Sequence, residues 1–149
     1  MNFPFDLSAY RPLRLSVDQT GLDAEQRATL QKNISLVRDS IVFFTALANT
    51  KGLGGHTGGA FDIVPEVLIA DGLMKGSDAF HPVYFDEAGH RVALQYIMSV
   101  LNGYKPAESL LHYREFGKGY YGHPERSDAD GIFFSSGRLG HLWSHVNGV

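Results

Sequence analysis

From Asp23 onward, apolar residues return every three or four positions: Leu30, Ile34, Val37, Ile41, Phe44 and Ala48. That period lines them along one face of an α-helix. A helix of this length is stable in water only when such a face is covered, so the rest of the chain must pack on it. Asp23 suits the N-cap and Glu25 the positive end of the helix dipole, and Gly52 and Gly54 end the run. A second helix is predicted from Asp62 to Leu73, with Asp62 capping, Pro65 in the first turn and Gly72 as terminator. His90 to Leu101 is helical again, with Tyr96, Ile97, Val100 and Leu101 as its apolar residues and Asn102-Gly103 as its stop. A shorter helix follows Pro106.

Val83-Tyr84-Phe85 and Ile132-Phe133-Phe134 are the strand candidates. Gly140 to Val149 reads as the start of another helix, with Trp143 on its core side. Residues 1–22 form an extended, Pro-punctuated arm and residues 23–149 the folded unit. The fold class is therefore α/β, helix-rich with a few parallel strands. Two short strands are too few for a self-sufficient parallel sheet. Two readings follow: part of a larger α/β domain cut within its last helix, with exposed edges and apolar surface, or a small α-rich domain complete in itself.

Composition removes several classes of function. A net charge of −3 gives no basic face for nucleic acid. With no cysteine there are no disulfides, no thiolate catalysis and no sulfur-ligated metal. Met1 to Leu15 mixes Asp6, Arg11 and Arg14 with prolines and lacks the apolar stretch of a signal peptide. No apolar run nears the roughly 18 residues that span a bilayer. The expectation is a cytoplasmic protein without membrane partners. Glycine stands out, at 17 of 149 residues against a usual share of roughly 7%.

Where the glycines cluster, histidines accompany them. Gly54-Gly55-His56-Thr57-Gly58-Gly59, Ala88-Gly89-His90 and Gly122-His123-Pro124 each stand at an element boundary. Glycines let a backbone approach a ligand closely and free its N–H groups, and imidazole donates, accepts or carries charge near neutral pH. Three such segments point to one shared site; read singly, the first is also a flexible connector with an incidental histidine. Other motifs carry less. Gly117-Lys118-Gly119-Tyr120-Tyr121-Gly122 has the letters of a dinucleotide-binding turn, but no strand precedes it and no helix follows. His141 and His145 have zinc spacing without a third ligand. Asp128 and Asp130 before Gly131 read as a solvated turn rather than a cation loop.

In order and spacing these segments resemble the transketolase-type, thiamine-diphosphate-dependent enzymes. Gly54 to Gly59 is similar to that family's S-G-H-P-G-G. Phe85-Asp86-Glu87-Ala88-Gly89-His90, continuing to Leu94-Gln95-Tyr96 and Leu101-Asn102-Gly103-Tyr104, resembles V-L-S-x-G-H…L-x-Y…L-x-G-Y. Gly122-His123-Pro124-Glu125 matches G-H-P-E, and Ser136-Gly137-Arg138-Leu139-Gly140 resembles T-G-P-L-G. The likeness covers about residues 35–149. Thr57 and Arg138 replace prolines, His141 replaces glutamine, and Asp86 and Glu87 bring acid beside His90. Pyruvate dehydrogenase E1 and 1-deoxyxylulose-5-phosphate synthase share some of these glycines, but G-H-P-E favours transketolase.

The resemblance implies the thiamine-diphosphate-binding fold, with residues 23–149 the N-terminal portion of the diphosphate-binding domain. It implies transfer of a two-carbon ketol unit from a ketose phosphate to an aldose, the cofactor carrying the carbon–carbon chemistry. His56 and His123 would be catalytic, binding donor hydroxyls and moving protons. His90 would lie near the diphosphate, and Gly137 and Leu139 would support the cofactor rings. The family's Mg²⁺ ligands and its catalytic glutamate are expected downstream, so no metal ligand is assigned within these residues. The expected partners are sugar phosphates and the remainder of the enzyme or a second subunit, in a homodimer when complete; the chain alone is expected to be inactive. The alternative is a stand-alone, non-catalytic binding or assembly domain.

Overall fold

The computed structural model describes residues 2–148. The first long helix, α1, runs Ala24–Thr50. Asp23 caps it: its carboxylate accepts from the Gln26 N–H at 2.8 Å, while the Gln26 side chain accepts from the Asp23 N–H at 3.1 Å. This reciprocal box satisfies two donors that the first turn leaves free. Val37, Ile41, Phe44 and Ala48 are buried as the period predicts, and Leu30 and Ile34 pack partly buried against the same core.

Two helices stand where one is expected. α2 is Thr57–Asp62 and α3 is Val64–Gly76. Asp62 therefore ends one helix instead of capping the next; the break falls at Ile63, and Pro65 sits in the first turn of α3, where a missing N–H costs nothing. Gly72 does not terminate α3. It is buried inside the helix because the N-terminal arm crosses there: a Cβ on Gly72 would stand 3.0 Å from the Leu13 Cβ and 3.1 Å from the Leu15 side chain. The Gly72 carbonyl accepts from the Leu15 N–H at 2.9 Å. The arm is docked between Phe3 and Leu15, with Phe3, Tyr10, Leu13 and Leu15 buried and the Asn33 amide holding both backbone groups of Arg11.

α4, Val92–Leu101, is the centre of the structure, with every residue from Val92 to Ser99 buried. α1, α2 and a 3-10 turn at Ala107–His112 pack around it. Phe44 of α1 and Tyr96 of α4 both meet the Tyr113 ring edge to face, at 5.2 Å and 6.1 Å. The last helix, α5, is Leu142–Val146.

Two further expectations are corrected. No strand forms among the described residues: 83–85 and 132–134 are irregular, and the sole ladder contact is an isolated antiparallel bridge from Ser127 to Ile132. A strand needs a neighbour for its N–H and C=O groups. These two runs instead meet through side chains, the Phe85 and Phe134 rings lying 5.8 Å apart. Trp143 is not core; it is 57% exposed and meets Phe85 edge to face at 5.5 Å, while its neighbour Leu142 takes the buried position. Among the described residues no helix is long and apolar enough to cross a membrane.

Candidate functional site

The Gly-His segments arrive from three directions. His56 closes the loop between α1 and α2, His90 lies in a 3-10 turn (Gly89–Arg91) that runs into α4, and His123 belongs to the loop after Tyr113. The His56 and His90 rings stand 5.3 Å apart, and a Cβ on Gly59 would be 3.7 Å from the His90 Nε2. A Cβ on Gly89 would lie 3.0 Å from the His123 Cδ2 and 2.6 Å from the Ser136 Oγ. Glycine at 89 is what lets the His123 loop and Ser136 close on the His90 turn, with His56 meeting that turn at His90 itself. His56 and His123 are exposed and His90 half-buried, so the cluster faces solvent.

Beneath the histidines lies an acidic network that the sequence alone does not reveal as ordered. Asp86 is 4% exposed and ion-paired with Arg91, and it also accepts from the Ala88 N–H at 2.8 Å. Burial, then the nearby Asp86 carboxylate, pushes the Tyr84 hydroxyl well above the ordinary tyrosine range. The Ser136 hydroxyl donates to the Asp86 carbonyl at 2.9 Å, and the Ser136 N–H donates to the Pro124 carbonyl at 3.1 Å. Ser136 therefore ties the His90 and His123 segments together. Its only sequence signal is its place just before Gly137. Asp86 is paired with Arg91, whereas Glu87 accepts from the Leu142 N–H at 3.4 Å through one oxygen and keeps the other buried without a partner.

Three further differences from the family pattern have distinct local settings. Thr57, in place of proline, donates to the Thr45 hydroxyl of α1 at 2.9 Å and anchors the His56 loop to that helix. Arg138 and His141 are both exposed. Gly137 has open space where a side chain would stand, and Leu139 is 64% exposed. The remaining motifs do not join the cluster. Asp128 pairs with Arg126 and Asp130 with Lys105, and Gly117 and Gly119 shape a loop by their positive φ. Among the described residues, no three His, Asp or Glu side chains are grouped to hold a metal ion. A groove of about 270 Å³, lined by Asp71, Lys75, Gln95 and Tyr104 among others, lies away from the histidines.

The donor set suits a phosphorylated, polyhydroxylated ligand. Three imidazoles, two of them exposed and one half-buried, offer donors or acceptors. The match to the family described as "Transketolase, thiamine diphosphate binding domain" spans residues 44–149.

The chain belongs to this family.

Over 137 residues it is 28% identical to the chloroplastic transketolase of Solanum tuberosum, covering 86% of this chain and 18% of that relative. Over 120 residues it is 32% identical to the transketolase of Scheffersomyces stipitis, covering 74% and 16% respectively. The chain thus spans less than a fifth of the length of these curated relatives. No solved structure matches it. Family membership gives the histidine loops a shared context: all three lie within the matched residues.

Proposed function

We propose that this chain supplies the histidine-bearing part of a transketolase-like enzyme that moves a two-carbon ketol unit from a ketose phosphate to an aldose. The observation that carries the reading is that His56 stands beside His90 and His123 beside Gly89, the residue before His90, within a thiamine diphosphate binding family. When bound, thiamine diphosphate supplies the nucleophile and electron sink that carbon–carbon cleavage needs. His90, half-buried, would hold the diphosphate end. His56 and His123, exposed on either side, hydrogen-bond donor hydroxyls and relay their protons. Gly137 and Leu139 lie along the cofactor rings. Mg²⁺, its ligands and the rest of the catalytic apparatus come from residues outside this chain, in a cytoplasmic dimer.

The test is a pair of variants in the assembled enzyme. His123→Ala removes a contact that strengthens as the donor bond breaks, so turnover falls about 10- to 100-fold, equivalent to about 1.5–3 kcal/mol. His90→Ala weakens cofactor affinity and leaves saturated turnover near normal. Unchanged donor kinetics in His123→Ala would remove it from the donor site. A chain that binds cofactor or sugar phosphate but supports no transfer in any assembly would establish the non-catalytic binding domain instead.

A further inference from the structure

Among the described residues, Arg114 is the one non-glycine residue with a positive φ, at 63°. A residue with a Cβ is strained there, and such strain persists only where the surroundings impose it. The surroundings are specific. The Arg114 N–H donates to the Tyr120 carbonyl at 2.8 Å, closing the loop between them. Its guanidinium forms no ion pair among the described residues. It packs against Gly122, where a Cβ would be 3.1 Å from both Cζ and one terminal nitrogen.

The preceding residue makes the matching contact on the other loop. A Cβ on Gly55 would meet the Tyr113 Cε1 at 3.1 Å and the Tyr113 hydroxyl at 3.8 Å. Tyr113 is 1% exposed, wedged between Phe44 and Tyr96, and its hydroxyl has no hydrogen-bond partner. Burial pushes that hydroxyl above its ordinary range, and the neighbouring Arg114 charge works against the push. Adjacent residues thus touch Gly55, beside His56, and Gly122, beside His123.

We propose that Arg114 is a positioning residue: its left-handed backbone and its packing on Gly122, with Tyr113 against Gly55, set the spacing between the His56 and His123 loops. The functional meaning of that spacing rests on the transketolase-like reading; the spacing itself does not.

The experiment uses the full chain, isotopically labelled for NMR, without ligand. It reads the backbone amides of Gly55 and Gly122, the ring signals of His56 and His123, and the through-space signal between the Tyr113 ring and Gly55. Arg114→Gly relieves the left-handed strain, so its melting temperature is expected at or above that of the parent. The reporters of both loops should nevertheless shift, and the Tyr113–Gly55 signal should be lost. Arg114→Lys, which keeps the stem and charge, should bring those reporters part-way back. The proposal is overturned if Arg114→Gly leaves the His56 side unmoved. It is also overturned if the variant melts lower and shifts α1 and α4 signals equally, since that marks general structural damage. Should Arg114→Gly fail to fold, Arg114→Lys decides alone, wild-type positions for all reporters overturning the proposal. A separate arm adds fructose 6-phosphate to the assembled enzyme loaded with thiamine diphosphate. Unmoved histidine signals there count against the substrate reading, whereas the role of Arg114 is decided by the ligand-free spectra.

Discussion

α4 and the histidine loops adjoin in sequence, Arg91 leading straight into Val92, yet they are held in opposite ways. From Val92 to Ser99 every residue is buried, and the helix keeps its place chiefly through apolar area, with Ser99 and the Tyr96 hydroxyl adding hydrogen bonds to Asp130 and Tyr121. The loops carry exposed or half-buried histidines and keep their places through single contacts: Thr57 to Thr45, Ser136 to Asp86, a glycine where a Cβ would collide. Area is non-directional and tolerates small displacements; point contacts aim side chains and fail one at a time. The core therefore governs whether the chain folds, and the loops govern where the imidazoles point.

That contrast breaks if a core truncation and a loop truncation cost the same. Phe44 is fully buried and edge-on to Tyr113, so Phe44→Ala is expected to lose about 3–5 kcal/mol in urea unfolding. His56→Ala, at an exposed position, should stay within about 0.5 kcal/mol of the parent. Comparable losses would mean that the histidine loop is part of the core's cooperative unit.

Gly89→Ala probes the point where the loops meet. The new methyl would fall 2.6 Å from the Ser136 Oγ and 2.8 Å from the Ser136 carbonyl oxygen. Overpacking of this kind costs about 1–3 kcal/mol, and the His90 and His123 ring signals should move with it. A variant of unchanged stability and spectrum would show that the loops do not close on Gly89.

Asp23→Ala removes one half of the capping box far from both regions, with an expected loss of about 1 kcal/mol and no change in the histidine signals. A spectral change at His56 would mean that the two ends of α1 are coupled.

The smallest effect is a pH dependence. Hydrogen bonds from Lys51 and then His112 hold the Glu115 carboxyl down to about 2, below its ordinary value of 4.5, tying the end of α1 to the loop that leads to His123. A depressed carboxyl contributes stability above its unfolded value and loses it as pH falls through the folded one. Urea midpoints taken from pH 5 down to pH 2 should therefore fall further for the parent than for Glu115→Gln. Parallel curves would remove this tie from the picture.

Much of the molecule is readable from residue types. The α1 face and its Asp23 cap follow from local rules acting within a few residues. The Gly-His segments are legible for a similar reason, since glycine beside a boundary histidine is a local arrangement with local consequences. Gly72 misleads because its reason is distant: the arm some sixty residues earlier crosses it, and a C-terminal glycine and a crossing glycine look alike in one dimension. Trp143 misleads because a five-residue helix has too few turns for periodicity to choose a face.

The sequence by itself determined the helical period, the cap, the loop glycines and the chemistry the histidines can perform, because each depends on neighbours along the chain. Tertiary structure decided the rest. The β-prone runs at 83–85 and 132–134 form no strand, Ile132 alone making an isolated bridge, because strand formation needs a partner that no run can specify alone. Asn33 is buried, at 2% exposure, because the arm brings Arg11 to its amide. Ser136 and Tyr113 acquire their contacts with the histidine loops only when segments far apart in sequence are brought within a few ångströms, where hydrogen bonds and steric exclusion act.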